Sequence, residues 1–163
     1  MINYNDKFHE LGVPDKPAFP TNDIGVSSLF GAVCGESLRY VVEQKSWYWY
    51  TGHIWKQDLG SLKAMEHCKA FVDAYSNYIC AVCEDEKVQN FASKLTNRRR
   101  RETVLADARS IAPIGLDTFD RNKMLLNCRN GKFNLHDMTI SNHNPADYVT
   151  KMTKVKYDPK ARC

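Results

Sequence analysis

The chain has 163 residues and a mass of 18.7 kDa, is 43% hydrophobic and 26% charged, and carries 8 Gly and 6 Pro. That makeup excludes collagen, a coiled coil and wholesale disorder, and the length suffices for one core that needs no disulfide or metal staple. The net charge of +4 conceals an asymmetry: residues 1–86 hold 7 basic and 12 acidic side chains, residues 87–163 hold 16 and 7. A polyanionic partner is therefore expected for the C-terminal half. No stretch reaches the roughly 18 apolar residues of a membrane span, and the N-terminal MINYNDKFHE lacks a hydrophobic signal region, so a soluble intracellular protein with no membrane partner is expected. The six cysteines, Cys34, Cys68, Cys80, Cys83, Cys128 and Cys163, are irregularly spaced and read as reduced thiols rather than a secreted disulfide framework.

Residues 1–20 hold Pro14, Pro17 and Pro20 among polar residues and predict an extended arm. A single domain is expected over residues 21–158, with 159–163 opening a linker. Thr21 or Asn22 is a suitable N-cap for a first short helix that stops at Gly35. The runs LRYVVE and WYWYTGHIW are β-rich and predict a hairpin or three-stranded meander turning at Thr51-Gly52. From Ser61 to Cys83, Met65, Cys68, Val72, Tyr75, Ile79 and Val82 recur at steps of three and four, the stripe of a helix about 35 Å long. Glu84-Asp85-Glu86 would oppose the dipole at the end of that helix but suits the start of another, so a new helix is expected near Asp85. Its stripe (Val88, Phe91, Ala92, Leu95) is rotated by about 160° from a third one (Val104, Leu105, Ala108, Ile111, Ala112), which predicts a break near Thr96-Asn97. After Pro113 the pattern turns to short β segments: MLLNC, an Asn130-Gly131 turn and KFNL form a hairpin, followed by a Pro145 loop and a possible strand VTKMTKV. The order implies an α+β fold with an N-terminal helix and β-hairpin, a central helical bundle and a C-terminal β-hairpin.

The chemistry-bearing motifs are few. Only Gly131-Lys132 has the Gly-Lys dipeptide of a phosphate-binding loop, and its neighbours do not fit, so the chain has no Walker loop. No Gly-rich dinucleotide fingerprint or nucleophile elbow occurs, and no catalytic residue is assigned. Cys80-Ala-Val-Cys83, with His67-Cys68 upstream, supplies one zinc half site and lacks the second, so core thiols are expected there and no metal. Asp117, Asp120 and Asp137 admit a metal-dependent primase or nuclease reading, against which stand ordinary turn and cap roles.

The sharpest feature is Arg98-Arg99-Arg100-Arg101, within a segment from Lys87 to Arg109 that carries 7 basic and 2 acidic residues. At the first turn of a helix these charges oppose the macrodipole by about 0.3–1 kcal/mol each, a cost that phosphate binding would offset. Lys94, Arg98, Arg99, Arg100, Arg101 and Arg109 are thus candidate DNA contacts. Since successive helical residues diverge by about 100°, two or three of the four arginines are expected to reach one strand, and their removal is expected to leave the fold intact. Subunit contacts and a solvated face are the competing readings. Trp47, Trp49 and Trp55 are candidates for stacking single-stranded bases, with cross-strand core packing as the alternative.

Three motifs carry a resemblance over residues 21–163: Leu38-Arg39-Tyr40-Val41 followed by Trp47, Tyr50, Gly52 and Trp55; Leu125-Leu126-Asn127 with Asn130-Gly131 and Leu135; and Asn144-Pro145 through Asp147-Tyr148, Thr150-Lys151 and Tyr157-Asp158-Pro159. In this order they resemble the N-terminal domain that precedes the superfamily-3 helicase in phage, plasmid and poxvirus-type primase-helicases. Lys123-Met124 and Asn134 depart from the family pattern of Pro-Trp and Asp. The resemblance implies a non-catalytic module between a primase and a hexameric helicase, with single-stranded or forked DNA, self-association and the downstream helicase as partners. It also implies that ATP and magnesium serve a helicase domain absent from this chain, and that the protein works in a bacterial or host cytoplasm.

Overall fold

The computed structural model describes residues 2–111 and 113–161. Ala112 of the expected helical stripe, Cys163 and the end of the expected linker lie outside them. Among the described residues, five α-helices and two small antiparallel sheets make an α+β fold. The helices are α1 (Tyr4–Glu10), α2 (Asp23–Cys34), α3 (Leu62–Val82), α4 (Glu86–Lys94) and α5 (Arg98–Ala108). The first sheet joins β1 (Leu38–Val41), β2 (Ser46–Tyr50) and β3 (Trp55–Gln57); the second joins β4 (Leu125–Cys128), β5 (Gly131–Asn134) and β6 (Thr139–Ser141).

The expected extended arm is corrected. Residues 4–10 form a helix capped by Asn3, and Phe8 is fully buried against the rings of Phe71, Tyr75 and Tyr78 on α3. Seven residues cannot hold a helix alone, so burial of this one aromatic residue supplies what local propensity lacks.

Helix α3 forms where its stripe predicts, burying Ala64, Cys68, Phe71, Val72, Tyr75 and Ile79. Its N-terminus is held from outside the helix: the buried Asp58 carboxylate accepts from the Lys63 and Ala64 N–H groups at 3.0 and 2.8 Å. Asp85 caps α4, and the chain breaks at Thr96-Asn97 before α5. The rotation between their stripes is thereby absorbed, and Leu95, Val104, Leu105 and Ala108 all face one core with Leu29, Phe30 and Val33 of α2.

The first sheet is covered on both faces. Pairing of Leu38 with Trp49 and Tyr40 with Trp47 sets those side chains toward the helical core. The alternate residues Val41, Tyr48, Tyr50 and Trp55 face a smaller core completed by Ile114, Phe119 and Tyr148. Ile114 extends the sheet alongside Val41, and Trp55 donates its indole N–H to the Pro145 carbonyl at 2.8 Å.

The second sheet corrects two expectations. The β4–β5 turn residues are Arg129-Asn130, since Cys128 pairs with Gly131, and neither has a positive φ. Gly131 is required for another reason: φ is +151°, and a Cβ there would lie 2.6 Å from the Ser141 carbonyl oxygen of β6. Residues 149–155 form no strand. They follow the free edge of β4 irregularly, with Thr153 N–H donating to Asn127 and Arg129 N–H to Val155 at 2.8 and 3.0 Å. Among the described residues, no helix is long and apolar enough to cross a membrane.

Candidate nucleic-acid interface

The four arginines open α5, Asn97 makes no side-chain cap, and the first turn carries no acidic residue of its own, so the N–H groups there share the turn with cationic side chains. Helical rotation then sorts the four. Arg98 is largely exposed and pairs at 2.8 Å with Glu102 one turn on, a pairing that raises the guanidinium pKa above its ordinary value. Arg99 is exposed and makes no side-chain bond among the described residues.

The other two turn inward. Arg100 donates to both carboxylate oxygens of Asp23 at 2.5 and 2.6 Å and lies over the Phe91 ring, joining α5 to the first turn of α2 and to α4. Arg101 donates to the Thr96 carbonyl and buries its Nε beneath the α4–α5 turn, while its own carbonyl accepts from the Cys68 thiol at 3.7 Å. The expectation that all four can be removed without structural cost is therefore corrected. A signal was present in the sequence: Arg100 and Arg101 precede the buried Val104 and Leu105 by three to five positions, which puts them on the core side of α5. Lys94, exposed at the end of α4, joins Arg98 and Arg99 around the turn, whereas Arg109 lies over the Tyr40 ring at the far end of α5.

The base-stacking candidates fare differently from one another. Trp47 and Trp55 are 4% and 2% exposed and belong to the two cores, so a stacking role for them is corrected: neither ring has a free face. Trp49 is half-buried and its ring faces the Lys63 ammonium at 5.1 Å.

Asp120 accepts from the N–H and hydroxyl of Thr150 at 2.8 and 2.5 Å, and Asp137 caps its own turn through Thr139 at 3.1 and 2.6 Å. Asp120 thus ties its segment to one thirty positions on, Asp137 serves its own turn, and Asp117 sits against Gly115. Cys80 is exposed and Cys83 half-buried, which corrects the expectation of core thiols there. Among the described residues, Cys34, Cys68 and Cys128 are the buried cysteines, and burial pushes Cys68 up to about 12 and Cys34 higher still.

The site so defined is a cationic corner on an α+β module, formed by Lys94, Arg98 and Arg99 and braced from within by Arg100 and Arg101. Residues 27–163 match the family described as D5 N terminal like, and the chain belongs to that family of domains of primase-helicase proteins, with phage and viral associations. All three sequence motifs fall within the matched residues. No curated protein matches the chain.

Proposed function

We propose that this domain is a non-catalytic DNA-binding and assembly module of a replicative primase-helicase, acting beside a hexameric ATP-dependent helicase. Its partners in this reading are single-stranded or forked DNA, further copies of the chain and the helicase domain, which is the part that uses ATP and magnesium. The observation that carries it is the outward set Lys94, Arg98 and Arg99: Arg99 has no side-chain partner among the described residues, and the exposed Arg98–Glu102 pair contributes little that a phosphate would not replace. Such contacts hold a nucleic acid by its backbone and read no sequence.

The test is the salt dependence of binding to a fluorescent oligothymidylate. Log affinity falls by about 0.7 per log unit of salt for each single-strand phosphate neutralised, so Lys94→Ala/Arg98→Ala/Arg99→Ala should remove about 1.4–2 units of slope if two or three contacts are lost. A well-folded triple variant with the parental affinity and slope would refute the assignment.

A further inference from the structure

Two of the three sequence motifs, about a hundred residues apart, meet at one place that the basic corner does not explain. Arg39 and Trp55 of the first motif, and Asn144 and Tyr148 of the third, line with Gly35 and Glu36 a cleft of about 270 Å³. Trp55 lies buried behind Tyr148 with the ring centroids 5.5 Å apart, so the half-buried Tyr148 ring is the aromatic side the cleft offers.

The Arg39 guanidinium is the unusual occupant. Its Nε is buried without a hydrogen-bond partner, and the side chain forms no salt bridge among the described residues. Glu36, on the rim of the same cleft, is exposed and does not pair with it. Gly35 makes the room: a Cβ there would come 3.4 Å from Arg39 Nη1 and 2.7 Å from the Gly31 carbonyl oxygen. A half-buried cation with an idle donor is costly unless something anionic completes it, and a guanidinium fits a phosphate in the bidentate manner. The volume lies just under the usual range of about 300–1,000 Å³ for small-ligand sites, which limits an occupant to one small unit.

We propose that this cleft seats a single nucleotide unit, its phosphate on Arg39 and its base against the Tyr148 side, an inference that rests on the nucleic-acid reading above. The same phosphate chemistry is offered by a free nucleotide and by one residue of a bound strand. Asn144 Nδ2 stands at the mouth as a further donor, since only its Oδ1 is used, in accepting from the Ala146 N–H at 2.9 Å.

The experiment titrates the full chain with thymidine 5′-monophosphate and, separately, with an oligothymidylate about 15 nucleotides long. The Trp55 indole N–H and Arg39 Nε–H resonances are followed by NMR, and strand affinity is measured by anisotropy. Saturable shifts of both resonances are expected, absent in Arg39→Gln and partly restored in Arg39→Lys, with strand affinity falling roughly tenfold in Arg39→Gln at an unchanged melting midpoint. Shifts with the strand alone assign the cleft to bound DNA, and shifts with the mononucleotide alone assign it to free nucleotides; both support the site. If the strand binds and loses affinity in the Lys94/Arg98/Arg99 variant while the cleft resonances stay still, the inference falls and the DNA reading stands. If the parent chain binds no strand and the mononucleotide moves nothing, both fall. Should Arg39→Gln unfold, the parent chain's two resonances decide the matter alone.

Discussion

Replacing Arg100 and Arg99 by alanine, one at a time, should give opposite results although the residues are neighbours. Arg100 holds both oxygens of Asp23 at 2.5 and 2.6 Å with the two side chains about 40% and 36% exposed, and it also covers the Phe91 ring at 5.9 Å. A pair this exposed is screened by solvent, so about 0.5–1 kcal/mol is a fair value for it, and the cation–π contact adds about 0.5 kcal/mol. Arg100→Ala should therefore cost about 1–1.5 kcal/mol, a fall of roughly 2–6 °C in the melting midpoint for a domain of this size. Arg99→Ala removes an exposed charge that opposes the α5 dipole and should be neutral or stabilising by a few tenths of a kcal/mol. Urea denaturation followed by circular dichroism measures both, and a double-mutant cycle with Asp23→Asn isolates the pair. An Arg100→Ala variant as silent as Arg99→Ala, or a cycle without coupling, would show that the Arg100–Asp23 pair does not brace the fold.

Phe8→Ala should cost about 3–5 kcal/mol, because a fully buried ring that touches three aromatic residues of α3 leaves a cavity; an unchanged urea midpoint would mean that α1 does not dock. In the native protein a thiol reagent near neutral pH should modify the exposed Cys80 quickly and leave Cys34 and Cys68 unmodified, since burial keeps those two protonated; mass spectrometry of timed samples reads the order. Stability should decline as pH falls below about 6.5, where the unfolded chain gains protons that the folded chain resists. His67 and His143 both have pKa values lowered first by burial and then by nearby positive charge, Lys63 for the former and the His53 ring for the latter. His143→Gln should flatten part of that decline in urea midpoints measured from pH 7.5 to 5, and an identical pH profile in the variant would count against the assignment.

The long α3, the Asp85 start of α4 and the Thr96-Asn97 break were legible because each rests on local periodicity or a cap. Helix α1 was not: its apolar content is little more than Tyr4 and Phe8 among polar residues, with Pro14, Pro17 and Pro20 following, and it forms through contacts with residues more than sixty positions away. The tryptophans show a related limit. Alternation put Trp47 and Trp55 on opposite faces of the first sheet, but nothing local told that Phe119 and Tyr148 would return to cover the second face. For the basic run, composition marks the segment and the spacing to Val104 and Leu105 puts Arg100 and Arg101 on the core side, whereas the partner Asp23 comes from α2, 77 positions away, and no local pattern names it. Arg39 stood inside a motif read for family likeness. Its meeting with Asn144 and Tyr148 is set by the chain's return after β6, which no local pattern encodes.

The most direct measurement of the central claim is a photocrosslinking map of the full chain on a bromodeoxyuridine-substituted single strand, read by peptide mass spectrometry. Crosslinks should concentrate on the peptide that spans Lys94 to Arg99 and be lost as salt is raised from about 50 to 500 mM, as phosphate-held complexes dissociate. Crosslinks confined to the acidic first half of the chain, or no crosslink at the lowest salt, would contradict that claim.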